Sequence, residues 1–127
     1  AFSKKIHKAI VQASHKSVLS GEPVGIVVDD HLISFVMYEK RGWQHLEQSL
    51  NPIIINDGYE WVFRLLSDNA EIEISNKSNQ LSPQLFLLPD GSGSVFALLV
   101  GNPQENNFYQ LVSDGFGNLS SGKYSSI

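Results

Sequence analysis

The stretch "LFLLPDGSGSVFALLV", residues 85–100, sets two apolar runs around a centre of Pro, Asp, Gly and Ser. Two structures fit such a centre, an anion-binding loop and a turn between strands. A phosphate cradle needs glycines whose backbone N–H groups converge at a helix N-terminus, with a lysine in reach. Here Gly93 is followed by "SVFALLV", which reads as a strand, and the stretch holds no lysine. It is therefore predicted to be a hairpin between two core strands, with Asp90, Gly91 and Gly93 supplying turn geometry. The "FALLV" run is apolar on both faces. That predicts an inner strand, covered on one side by a second sheet or a helix and on the other by neighbouring loops.

The same grammar extends outward from this stretch. Short β-like runs follow one another at 24–28, 31–39, 43–46, 52–55, 59–66, 71–74, 84–88, 94–100 and 107–112. Turn signals separate them, among them "NDG" at 56–58, "SDN" at 67–69, "GNPQENN" at 101–107 and "SDGFGN" at 113–118. Tyr59, Trp61, Phe63 and Leu65 share one strand face, and Ile72 and Ile74 face away from Glu71 and Glu73. Such closely spaced strands leave little room for crossover helices and predict antiparallel sheets.

Residues 1–20 read differently. At 100° per residue Phe2, Ile6, Ala9, Ile10, Ala13 and Ser17 form one stripe, with Lys4, Lys8 and His15 opposite, the pattern of an amphipathic helix. Gly21 and Pro23 stop it. Three lysines in its first two turns oppose the helix dipole, and no capping box precedes them. The helix is accordingly expected to continue upstream of Ala1. The chain is read as one α+β domain over 1–127: a helix at 1–20 packed on a two-sheet, sandwich-like antiparallel head at 22–120, and a loose tail at 121–127.

With 127 residues, 42% of them hydrophobic, the chain can bury one real core but not two. It lacks cysteine, which removes disulfides, thiolate metal sites and a cysteine nucleophile. The longest apolar run, 95–100, is far below the ~20 residues of a membrane helix. The first residues resemble neither a translation start nor a secretory signal, so a trimmed N-terminus is expected. Four of the 9 basic residues and none of the 13 acidic ones lie in 1–21, giving +4 there and −8 in the remainder. An acidic body disfavours nucleic-acid binding, which rests on phosphate neutralisation by Lys and Arg.

Candidate chemistry is sparse. His7 and His15, eight residues apart, lie about 80° apart around the helix and ~12 Å along it, too far to share one ion. His31 and His45 fall in separate strands. Asp29, Asp30 and Asp57 lack any EF-hand-like spacing and read as turn formers. Ser94 lacks a strand–elbow–helix setting, and "EIEI" at 71–74 reads as a solvated edge strand. Trp43 and Trp61 are expected in the core, with a sugar- or ligand-binding groove as the alternative. No catalytic, metal or cofactor site is predicted.

The order of features resembles a known family: a helix ending in "VLSGEPVGIVV", then "ISFVMYE", "RGWQHL", and late in the chain "PQLFLLPDGSGSVFALLV" followed by "FYQLVSDGFGNL". Together these are similar to the H-type minor pseudopilins of the bacterial type II secretion system, within the broader FimT-like pilin family. The resemblance spans nearly the whole chain, marked by Gly21, Pro23, Trp43 and the late proline-and-glycine turn. It implies a cleaved leader, a methylated first residue and an apolar helical half preceding Ala1 that sits in the inner membrane, with the head in the periplasm. It further implies a structural, non-enzymatic role at or near the tip of the pseudopilus, beside the other minor pseudopilins and the major one, supporting export of folded proteins. On that reading Lys4, Lys8 and His15 face acidic neighbours, and Asn102, Gln104 and Asn106 in "GNPQENN" add specificity, exported cargo being a further partner. The alternatives are a FimT-like pilin in DNA uptake, which the acidic head opposes, and a periplasmic ligand-binding β domain.

Overall fold

The computed structural model describes residues 2–29, 32–39, 42–46, 50–54, 62–67, 70–72, 83–102 and 107–124. Helix α1 spans Phe2–Ser20; of its expected stripe Ile6, Ile10, Ala13 and Ser17 are buried and Ala9 is half-buried, the Phe2 side chain lying outside what is described, while Lys4, Lys5, Lys8 and His15 face solvent. The stop is an αL cap. Gly21 takes φ 75° and donates its N–H to the Ser17 carbonyl at 2.9 Å, and the Glu22 N–H is met by the Ser20 hydroxyl at 3.2 Å.

Two antiparallel sheets follow. The first holds β1 (Val24–Val28), β2 (Leu32–Glu39), β3 (Gly42–His45), β4 (Ile53–Ile54) and β7 (Leu85–Leu87), in the order β3-β2-β1-β7 with β4 also on β2. The second holds β5 (Val62–Ser67), β6 (Ala70–Ile72), β8 (Val95–Asn102), β9 (Asn107–Asp114) and β10 (Leu119–Tyr124), in the order β10-β9-β8-β5-β6. Each of the nine runs expected from sequence has a strand within it or overlapping it. The fold is α+β, with α1 and the inner faces of both sheets closing on one core. Ile6, Ile10 and Ala13 from the helix meet Ile26, Phe35 and Leu85 of the first sheet and Leu65, Leu98 and Leu111 of the second. Each fully buried Ile, Leu or Phe there contributes about 1.5–3 kcal/mol relative to exposure.

Two expectations are corrected. Residues 121–124 are not a loose tail but the end of β10, paired to β9 from Leu119↔Ser113 to Tyr124↔Phe108. The run "LSSGKY" is too polar to announce a strand by pattern; its state comes from the ladder to β9, from Leu119 packed on the core, and from a 2.8 Å hydrogen bond between the Ser121 hydroxyl and His7 Nδ1. Residues 125–127 lie outside those described.

The second correction concerns 85–100. The turn is present, with the Gly91 N–H on the Leu88 carbonyl at 3.0 Å, the Leu88 N–H on the Ser92 carbonyl at 2.8 Å and the Ser94 N–H on the Phe86 carbonyl at 2.9 Å. The two strands it joins do not form a hairpin. β7 pairs with β1 in the first sheet, β8 lies between β5 and β9 in the second, and direct pairing ends at the single bridge Leu87↔Gly93. The stretch is where the chain leaves one sheet for the other. β8 is an inner strand as expected, with Phe96, Leu98 and Val100 in the core and Leu99 buried on the opposite face. That opposite face is only partly covered: Arg64 stands over the Phe108 ring at 5.8 Å beside Leu99, whereas Val95 and Val112 remain exposed.

Candidate partner-binding surface

On an ideal helix, positions 4, 8 and 15 fall within about 40° of one another and span about 16 Å along the axis. Lys4, Lys8 and His15 are all exposed on α1, so the structure gathers them into one line on the face opposite Ile6, Ile10 and Ala13. Lys5 stands exposed beside them. The buried stripe fixes this line in space, because rotating α1 would drive lysines into the core. Asn102 is the last residue of β8 and pairs with Asn107 at the start of β9, which anchors both ends of the loop between them. Gln104 and Asn106 lie outside the described residues.

The C-terminal part of α1 meets two turns. Ser17, buried, places its hydroxyl 2.7 Å from the Glu22 carbonyl and 3.1 Å from that of Leu87, tying the helix end to β7. The turn at 88–93 in turn touches the β9–β10 turn. The Gly93 N–H donates to the Gly115 carbonyl at 3.1 Å, and a Cβ on Gly117 would stand 3.2 Å from the Gly91 carbonyl oxygen. Each turn is organised by an aspartate. Asp90 Oδ1 accepts the N–H and the hydroxyl of Ser92. Asp114 accepts the Phe116 N–H at 2.8 Å, the Asn118 N–H at 3.2 Å and the Asn118 side-chain amide at 2.7 Å. Both carboxyls are held below their ordinary value, Asp90 chiefly by the Ser92 hydroxyl and Asp114 chiefly by the Asn118 amide.

Between α1 and these turns lies a cleft of about 100 Å³, with Ile10, Leu87, Phe96 and Leu119 among its walls and His15, Ser92 and Asn118 among its polar lining. Pockets that enclose a drug-sized ligand or cofactor usually measure roughly 300–1,000 Å³. Next in sequence to the lining residue Gly117 is a residue that sequence reasoning did not single out. Phe116, between Gly115 and Gly117 at φ 84° and 95°, is 86% exposed. The flanking "GFG" was legible as a turn; the outward display of its ring was not.

The other candidates have structural roles or lie outside the described residues. Asp29 Oδ1 accepts the Leu32 N–H at 2.8 Å and its N–H donates to the Leu32 carbonyl, so it builds the β1–β2 turn. Ser94 accepts the Phe86 N–H through its hydroxyl at 2.9 Å. Trp43 is half-buried rather than in the core. On the outer face of the first sheet its ring meets Tyr38 edge-on at 5.2 Å and Phe86 at 5.8 Å. His45 is exposed on β3. His31, Asp30, Asp57, Trp61 and Glu73 fall outside the described residues. Among the described residues no three His, Cys, Asp or Glu side chains converge on a metal position, and no helix is long and apolar enough to cross a membrane.

No protein-family model matches the chain, and no curated protein sequence matches it. Solved structures do. The chain is similar to the minor pseudopilin EpsH of the Vibrio cholerae type II secretion system in two structures. One has TM-score 0.76 and 18% identity, covering 98% of this chain and 94% of that one; the other has 0.70 and 19%, covering 95% of each. It is also similar to the solution structure of Escherichia coli GspH, with TM-score 0.67 and 24% identity over 96% of this chain and 85% of that one. From helix to last strand, the chain has the fold of the H-type minor pseudopilins.

Proposed function

We propose that the chain is the periplasmic head of an H-type minor pseudopilin, a structural subunit rather than an enzyme. It joins the pseudopilus of a type II secretion system near its tip, with the other minor pseudopilins and the major one, and supports export of folded proteins across the outer membrane. An apolar helical half upstream of α1 holds it in the inner membrane before assembly. The observation that carries this reading is the fold match to EpsH over 98% of the chain, helix included. The two-faced helix supports it, since a spine that holds its own head with one side has the Lys4, Lys8 and His15 side free for neighbours.

The test is genetic. Deleting the gene in its host should trap exported enzymes in the periplasm, and the wild-type gene should restore secretion. The Lys4→Glu/Lys8→Glu variant, produced at normal level, should lower secretion by about tenfold through lost charge complementarity. Secretion that is unaffected by the deletion would overturn the proposal. Binding of duplex DNA at micromolar concentration in physiological salt would favour the DNA-uptake alternative instead.

A further inference from the structure

Strand β10 lies alongside α1 and runs opposite to it. Leu119 shares the cleft wall with Val11 and Ser14, and two residues further on the Ser121 hydroxyl meets His7 Nδ1 at 2.8 Å. Leu119, Ser121 and Lys123 alternate onto one face of the strand, the face turned to the helix. Two more strand residues advance about 7 Å and one helical turn about 5.4 Å, so Lys123 falls level with the first turn of α1. The end of the molecule at which α1 starts therefore carries four exposed lysines from two elements, Lys4, Lys5, Lys8 and Lys123. Among the described residues no carboxylate pairs with any of them.

The four are close enough to act together. Lys4 and Lys8 are about 6 Å apart along the axis with Lys5 between them in height, inside the ~10 Å over which 0.1 M salt screens charge. Lys16 stands about 12 Å beyond Lys8, outside that reach. The remainder of the chain has the opposite sign, residues 22–127 carrying −8 with Lys123 included. An anionic surface thus attracts the start of α1 and repels the body, which orients the molecule as well as holding it.

We propose that this lysine end is a contact for anionic phospholipid headgroups. The proposal rests on the pseudopilin reading, in which an apolar continuation of α1 enters the inner membrane and brings the headgroup plane up to the start of the helix. Two features favour lipid over an acidic protein. The lysines spread over roughly half of the helix circumference at one end, an arrangement that meets a plane. Residues 1–21 hold lysine and no arginine; the flexible stem and point charge of lysine suit mobile phosphates, whereas fixed carboxylates are better matched by the arginine fork. The contact belongs to the stage before assembly, and the line of Lys4, Lys8 and His15 meets neighbouring subunits after it.

The test uses the purified chain and vesicles. It needs no secretion system, so a failed lipid contact and a failed deletion phenotype are separate results. Each lysine near an anionic bilayer strengthens binding about fivefold. In about 0.1 M salt the chain should co-float with vesicles of equal parts phosphatidylglycerol and phosphatidylcholine, half-bound at roughly 1 mM lipid. It should not float with phosphatidylcholine alone, and about 0.5 M salt should release it. Lys5→Gln and Lys123→Gln should each weaken binding about fivefold, whereas Lys16→Gln, the same change of charge beyond the screening length, should alter it by less than about twofold. Circular dichroism of each variant should match wild type, since no described residue pairs with these side chains. A chain that stays unbound at about 10 mM of the anionic lipid mixture would overturn the proposal and leave the lysines to an acidic protein. Equal weakening by Lys5→Gln and Lys16→Gln would overturn it too, since net charge alone would then account for binding.

Discussion

Gly93 presses against the carbonyl oxygen of Phe86 so closely that a Cβ on Gly93 would stand 2.6 Å from it. The neighbour is backbone, held by the Ser94 N–H, and cannot swing aside as a flexible side chain would. Gly93→Ala should therefore destabilise the domain by about 1–3 kcal/mol, as overpacking does. Urea unfolding will read this as a lower midpoint with an unchanged slope. An unchanged midpoint would mean that the two sheets are joined less tightly than the geometry indicates.

Ser17→Ala should cost about 1–2 kcal/mol, because it leaves the Leu87 and Glu22 carbonyls without their buried hydroxyl donor. Ser17→Val should not recover the loss, since its methyl groups bring volume and no donor. Thermal unfolding of the two variants against wild type checks both statements.

Acid should weaken the two turns together. Asp90 and Asp114 have folded-state pKa values below the ordinary 3.8, so the stability they add is fully present above that value and is lost as pH falls through and below it. The urea midpoint of wild type should drop between about pH 5 and about pH 2, and the Asp90→Asn/Asp114→Asn variant should drop less over the same interval. Equal slopes for the two proteins would contradict this assignment.

The indole of Trp43 is engaged by Tyr38 and Phe86. With Trp61→Phe as background, Trp43 is the remaining indole of the two in the chain, and its fluorescence should stay flat across a glycan panel. Trp43→Ala should cost roughly 2 kcal/mol, less than a fully buried tryptophan, by lost packing and two ring contacts. A saturable quench would instead support the ligand-binding alternative.

Local rules were enough to read α1 and most strands. The apolar stripe through Ile6, Ile10 and Ala13 has a helical period, and Gly21 with Pro23 marks its stop, so the exposed line of Lys4, Lys8 and His15 followed directly. What local rules could not supply was pairing. Leu85 meets Ile26 and Leu98 meets Leu65 and Leu111, contacts between residues far apart in sequence, and no short window distinguishes a hairpin from a change of sheet. β10 was missed for the same reason, its polar residues being held by β9 rather than by their own propensity. Phe116 was missed because an apolar residue in a turn signal gives no indication of which way its ring points.

The passage from β7 to β8 also sets how the head bears mechanical load. A pull along α1 enters the first sheet through Ser17 at Leu87, and within a few residues the chain carries it across the seam into the central strand of the second. A pull on α1 should therefore load both sheets. Under tension such a head should yield in one rupture rather than two, behaving as a stiff block at the end of its lever.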